Sequence, residues 1–140
     1  MHEETVFTRV VSGDLPSYSV YEDDTTYAFL DIDPHAPGHT LVVPKTPYVR
    51  LQDIPKEEVL ALFEVLWELI TAVERGVDAD ATTLILNNGE AADQEIPHVH
   101  WHIVPRFEDD GTLIEYHPLV DRELTDEEME SLAAAIRDAQ

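Results

Sequence analysis

The run Pro97-His98-Val99-His100-Trp101-His102-Ile103-Val104-Pro105-Arg106 decides how this chain is read. In an extended strand successive side chains point to opposite faces, so His98, His100 and His102 share one face while Val99, Trp101 and Ile103 share the other. At a rise of ~3.3 Å per residue, neighbouring imidazoles start roughly 6.6 Å apart, a span that a phosphate group or a metal ion can bridge. Three of the chain's seven histidines lie in these five positions. They can be solvated polar residues on an exposed sheet face, zinc ligands at alternate strand positions, or a nucleophile with two assistants. The rest of the surface composition is Asp and Glu, so three histidines in register are not explained as an ordinary solvated face.

The residues upstream supply a framework for that strand. Residues 6–11 form a short apolar segment closed by the turn cluster Ser12-Gly13-Asp14-Leu15-Pro16. Residues 19–22 and 26–31 flank Asp23-Asp24 and predict a two-stranded hairpin. Asp33-Pro34-His35-Ala36-Pro37-Gly38 is a rigid loop whose prolines exclude ladder pairing, and residues 39–44 read as the next strand. Asp53-Ile54-Pro55 opens a helix in which Asp53 or a neighbour caps and Pro55 takes the first turn, with Glu57 and Glu58 favoured by the helix dipole. Val59, Leu62, Phe63, Leu66, Ile70 and Val73 recur at helical spacing, and Gly76 is the expected stop.

Residues 82–86 are expected to pair with the histidine strand across a long loop, residues 87–97. Thr125-Asp126-Glu127-Glu128 is a capping-box pattern that starts a C-terminal helix with Leu132, Ala133 and Ile136 on its apolar face. The expectation is a single α+β domain over residues 1–140, with a core at about 6–106 and a helical extension at about 125–140. No internal repeat or linker interrupts it.

Composition narrows the partners. Thirty acidic residues against eight basic ones give a formal net charge of -22, and Lys45 and Lys56 are the two lysines. Such a surface has no basic patch to release counterions, so nonspecific binding to nucleic acid or to an anionic membrane is disfavoured. Self-repulsion on this scale is screened at 1 M salt, where the Debye length is ~3 Å, which suggests a halophile's cytoplasm. Cysteine is absent, so neither a disulfide nor a thiolate metal site can form. No apolar run reaches the ~18 residues of a membrane span, and Met1-His2-Glu3-Glu4 lacks the features of a secretory leader. A soluble cytoplasmic protein is expected.

The run His98-Val99-His100-Trp101-His102-Ile103-Val104 resembles the signature of the histidine triad (HIT) superfamily of nucleotide hydrolases and transferases. Residues 6–16, Tyr21-Glu22-Asp23-Asp24, Ala28-Phe29-Leu30-Asp31-Ile32, residues 36–45 and Asn87-Asn88-Gly89 resemble the family's other blocks in the same order. The resemblance implies a five-stranded antiparallel sheet with one long helix, usually in a dimer whose sheets join. It implies that His100 attacks the α-phosphorus of a purine nucleotide, with a phosphoramidate or a dinucleoside polyphosphate as substrate, and that water resolves the nucleotidyl-histidine. His98 would hold the tautomer of His100 through a backbone carbonyl, and His102 and His39 would bind phosphate oxygens or assist proton transfer.

Asp31 would accept hydrogen bonds from the ribose, Phe7, Phe29 and Ile32 would line the base pocket, and Asn87 and Gln94 would contact the phosphate or the leaving group. Read on their own, Phe7 and Phe29 are equally core aromatics, Asp31 a turn cap, and Asn87-Asn88-Gly89 a turn. Many relatives hold a structural zinc at the positions of Thr5, Thr8, Pro47 and His98. Three of those four lack a ligand here, so neither metal nor organic cofactor is expected. Glu95 stands where the Hint-like phosphoramidases have a serine, and with Glu90 and Asp93 it brings negative charge near the phosphate site. A nucleotide-binding module without turnover is the competing reading.

Overall fold

A computed structural model of the chain describes residues 3–111, 119–120 and 122–140. Met1 and His2 of the amino-terminal reading lie outside them. The described elements run α1 (Val6–Ser12), β1 (Ser19–Glu22), β2 (Thr26–Leu30), β3 (Thr40–Pro44), α2 (Lys56–Val77), β4 (Ala81–Leu86), β5 (Trp101–Arg106) and α3 (Asp126–Asp138). The strands form one antiparallel sheet in the order β1-β2-β3-β5-β4, the five-stranded antiparallel sheet that the resemblance implied. In register, β3 places Leu41 opposite His102 and Val42 opposite Trp101.

The central strands of the sheet are covered on both faces. One face carries Ala28, Val42, Val99, Trp101 and Ile103 against Leu62, Val65, Leu66, Leu69 and Val73 of α2. The other carries Tyr27, Phe29, Leu41 and Val43 against Phe7 and Val10 of α1. The apolar segment at residues 6–11 is therefore a short helix, and it covers the sheet face on which the histidines lie. Thr5 caps it by accepting from the backbone N–H groups of Phe7 and Thr8, and Thr8 returns its hydroxyl contact to the backbone N–H of Thr5. Gly13, at φ 88°, ends it in the left-handed conformation that glycine adopts without a Cβ penalty.

Several local expectations shift. Helix α2 runs past Gly76 and ends at Asp78, which takes the left-handed cap at φ 55°. Its buried positions include Val65 and Leu69, whereas Phe63, 41% exposed, meets Trp101 edge-on at the rim of the core and Ile70 is half-buried, because the face turned to the sheet is rotated from the expected stripe. Pro55 occupies the N-cap without a side-chain contact, and Asp53 accepts instead from the backbone N–H of Arg50. Regular pairing of β5 begins at Trp101, so His98, at a bend, and His100 lie on the segment that leads into the strand. Helix α3 has the predicted Thr125 and Glu128 capping box. Its Leu132 and Ile136 are exposed, so among the described residues the expected apolar face covers no core.

Candidate active site

A cavity of about 900 Å³ opens between α1, the loop after β2 and the loop before β5. Phe7, Phe29, Asp31, Ile32, Asn87, His100 and His102 all line it, so the structure brings together most of the residues singled out in the sequence. Ile32, 84% exposed, sits at its outer edge. Leu15, Tyr18, His35 and Ile96 line it too and carried no signal of their own in the sequence. Phe7 meets Phe29 edge-on with ring centroids 5.7 Å apart, and its ring lies 5.0 Å from that of His100. The aromatics are thus both core and cavity wall.

The hydrogen bonds assign the imidazole protons. Nδ1 of His100 lies 2.8 Å from the carbonyl oxygen of His98, and a carbonyl can only accept, so Nδ1–H donates and Nε2 keeps its lone pair. His98 is sealed, with Nε2 donating to the carbonyl of Pro44 at 2.7 Å. Its Nδ1 then accepts the hydroxyl proton of Thr5 at 2.7 Å. His39 accepts the backbone N–H of His35 on Nδ1, so its Nε2–H donates to Nδ1 of His102 at 2.9 Å. By exclusion the proton of neutral His102 sits on Nε2. The sheet face therefore holds a bare imidazole nitrogen on His100 and an N–H donor on His102, with ring centroids 5.1 Å apart.

Burial keeps these rings neutral. It pushes His98 and His102 down to about 4, with the neighbouring imidazoles adding to the effect. His100 is lowered by burial, opposed by its hydrogen bond to the His98 carbonyl and by the charges of Asp31 and Glu95. His39 is lowered by burial, opposed by Asp31, whose carboxylate lies 3.6 Å from Nε2. The other carboxylate oxygen of Asp31 accepts the backbone N–H of Asp33 at 2.9 Å. Asp31 thus caps its turn and faces the histidine chain at once.

Asp31, His39 and His102 offer potential ligand atoms within 4.8 Å of one another. The polarity of their contacts does not suit a metal. A neutral imidazole ligating through Nε2 carries its proton on Nδ1, but Nδ1 of His39 faces the N–H of His35. A hydroxyl to imidazole hydrogen bond joins Thr5 to His98.

Gln94 is placed elsewhere than expected. It is buried behind the cavity wall, where its Oε1 accepts from Gly89 N–H at 2.7 Å and its Nε2 donates to the carbonyls of Val49 and Ile96. Its amide braces the loop before β5. Asn88 joins the same brace, accepting from Leu51 N–H and donating to Gln52. Gly89, at φ 107°, lets the chain turn there against the guanidinium of Arg50.

Residues 12–109 match the HIT domain model. The chain belongs to the HIT family. This HIT chain is similar to a HIT-like protein of Methanocaldococcus jannaschii, 38% identical over 79% of this chain and 85% of the other. It is 35% identical to the adenosine 5'-monophosphoramidase of Saccharomyces cerevisiae over 78% of this chain and 66% of the other, and so spans just under two thirds of that enzyme. A crystal structure of a HIT family member from Bacillus subtilis covers 99% of this chain and 98% of its own, at 31% identity and a TM-score of 0.88. In this HIT domain the signature histidines divide into a buried one, His98, and two that line the cavity, His100 and His102.

Proposed function

We propose that this protein is a nucleotide hydrolase or transferase that acts at the α-phosphate of adenosine or guanosine phosphoramidates through a nucleotidyl-His100 intermediate. The observation that carries the reading is the His100 Nδ1–H bond to the His98 carbonyl, which leaves Nε2 free beside the cavity. In the first step that lone pair forms a bond to phosphorus, and the phosphorus to leaving-group bond breaks with its electron pair going to the leaving nitrogen. His102 Nε2–H bonds a phosphoryl oxygen. The incoming anion and Asp31, whose carboxylate lies 3.6 Å from Nε2 of His39 where that ring meets His102, favour protonation of the pair, and that proton passes to the leaving amine. Water, or another acceptor, then attacks phosphorus and gives up its proton to the His102 and His39 pair, while the bond from phosphorus to Nε2 breaks and its electron pair returns to His100, leaving it neutral.

Phe7, Phe29 and Ile32 form the base slot in this reading, Asp31 receives the ribose hydroxyls, and Asn87 meets the phosphate. The charge of the wall separates the candidate substrates. Asp31, Asp33, Asp93 and Glu95 line the cavity, and among the described lining residues there is no lysine or arginine. A polyphosphate chain would meet uncompensated repulsion there, whereas a phosphoramidate brings one phosphate and a neutral or cationic amine. The phosphoramidase activity named for the yeast relative agrees with that choice.

The test is intact-mass analysis after incubation with adenosine phosphoramidate and an acid quench. A covalent adenylate should accumulate on the wild type and be absent from His100→Ala. A wild type that binds the nucleotide yet forms no adduct and releases no amine would leave a binding module instead.

Three further properties belong to the same reading. Residues 1–140 act as one domain whose C-terminal helix is an extension. The protein works as a homodimer in the cytoplasm; among the described residues β4 stands at one edge of the sheet, and α2 exposes Leu60, Phe63 and Trp67, the last at 73%. Analytical ultracentrifugation of Trp67→Glu should show the mass halve, and an unchanged dimer would remove α2 from the interface. Finally, the net charge of -22 suits a halophile's saline cytoplasm. Among the described residues no helix is long and apolar enough to cross a membrane.

A further inference from the structure

The contacts of Thr5 connect two parts of the site that the sequence keeps 93 positions apart. Its hydroxyl oxygen accepts the N–H groups of Phe7 at 3.2 Å and Thr8 at 3.3 Å, and so starts the helix that carries Phe7. Those two bonds engage its lone pairs and leave the hydroxyl hydrogen, which can go only to Nδ1 of His98 at 2.7 Å. The opposite nitrogen of His98 is committed to the Pro44 carbonyl on β3. His98 is 0% exposed, so no water can replace either partner. The carbonyl of this immobilised residue is the one that receives Nδ1–H of His100.

We propose that Thr5 is a positioning residue for catalysis: its hydroxyl holds His98 in the Nε2–H tautomer between α1 and β3, and thereby fixes the His98 carbonyl that orients His100. The catalytic part of this inference rests on the reading of His100 as nucleophile; the tautomer part does not. Without the donor, Nδ1 of His98 is a buried acceptor with no partner, and the ring can relieve that only by turning or by taking another proton. Turning disturbs the carbonyl that receives Nδ1–H of His100, and a second proton puts a buried positive charge beside it. Phe7 contacts both rings, with centroids 5.5 Å from His98 and 5.0 Å from His100, so the base slot and the nucleophile share this support.

Three substitutions separate the hydroxyl's donor role from its helix-capping role. Thr5→Ser keeps both. Thr5→Val keeps the shape and loses both. Thr5→Asp keeps an acceptor for the α1 N–H groups, which suits an N-cap, but a carboxylate cannot donate to His98.

Long-range proton to nitrogen NMR of the imidazoles reads the tautomers directly and needs no turnover. In the wild type and Thr5→Ser, His98 should carry its proton on Nε2; in Thr5→Asp its Nδ1 should be protonated. With adenosine phosphoramidate, kcat should fall about tenfold in both Thr5→Val and Thr5→Asp while KM changes less than about threefold, and Thr5→Ser should restore it. A wild-type His98 protonated on Nδ1 would overturn the tautomer assignment, and with it the proposal. So would wild-type kcat in Thr5→Asp alongside a damaged Thr5→Val, since the hydroxyl would then be a helix cap and nothing more. Should the wild type prove to have no turnover, the proposed function fails while the NMR result still decides whether Thr5 sets the tautomer.

Discussion

Mild acid should destabilise this protein through its buried histidines, and the size of the effect follows from their environment. His98 and His102 are pushed by burial from the ordinary 6.5 to about 4. Between those values the unfolded chain protonates both rings while the folded protein does not, so the unfolded state binds more protons and stability falls as the pH falls. The contribution is fully present above pH 6.5 and is lost by about pH 4. Near pH 5.5 the difference is ~0.9 proton per ring, a slope of ~1.2 kcal/mol per pH unit each, or about 2 kcal/mol for the pair. His98 is sealed and its share is the firmer; His102 borders the open cavity, where solvent screening trims its share. His39 and His100 are shifted in the same direction and add to the slope.

A loss of this size is a large part of a typical 5–15 kcal/mol. Urea denaturation at half-unit steps from pH 7 to 5.5, in 1 M KCl to screen the net charge, measures it. The slope should be positive throughout and should drop by about 1 kcal/mol per pH unit in His98→Gln. A wild-type stability that is flat over this range, or a slope unchanged in His98→Gln, would refute the burial argument.

Other outcomes follow from contacts away from the chemistry. Gly38 holds φ 94° directly before His39, and a Cβ there would come within 2.7 Å of Val77 at the end of α2. Gly38→Ala should therefore cost about 1–3 kcal/mol and lower activity by displacing His39, and a melting temperature equal to wild type would show that the loop yields freely. Gln94→Ala removes three hydrogen bonds from the loop before β5 and should cost about 2 kcal/mol in chemical denaturation; an effect confined to KM with unchanged stability would return Gln94 to the substrate. With a net charge of -22, the far-ultraviolet circular dichroism melting midpoint should rise steeply between 0.1 and 2 M KCl, and a midpoint independent of salt would separate this protein from a saline cytoplasm.

Much of the site was legible because its signals are local. Alternation along residues 98–104 assigns the three imidazoles to one face, although regular pairing starts only at Trp101, and Thr125 with Glu128 specifies a helix start within four residues. The hairpin at Asp23-Asp24 was legible for the same reason, since Asp23 accepts the N–H groups of Thr25 and Thr26 in the turn itself. Helix α1 was not, because seven residues give fewer than two turns and too short a window for a period to show. The face of α2 drifted because apolar residues lie nearly all round it, with Leu60 and Trp67 outward and Val65 and Leu69 inward. Only the sheet decides which side it covers.

The sequence by itself determined the donor types, their alternation and the strand and helix order, all of which depend on neighbours in the chain. It could not assign the protons. Whether an imidazole nitrogen donates or accepts depends on partners brought from far away: Thr5 and Pro44 for His98, His35 and His39 for the ring of His102. Burial by α1, likewise a tertiary event, turns one of three similar histidines into a sealed support and leaves the other two at the cavity. The chemistry of this strand is written in its residue types, and the division of labour among them is set by what folds against it.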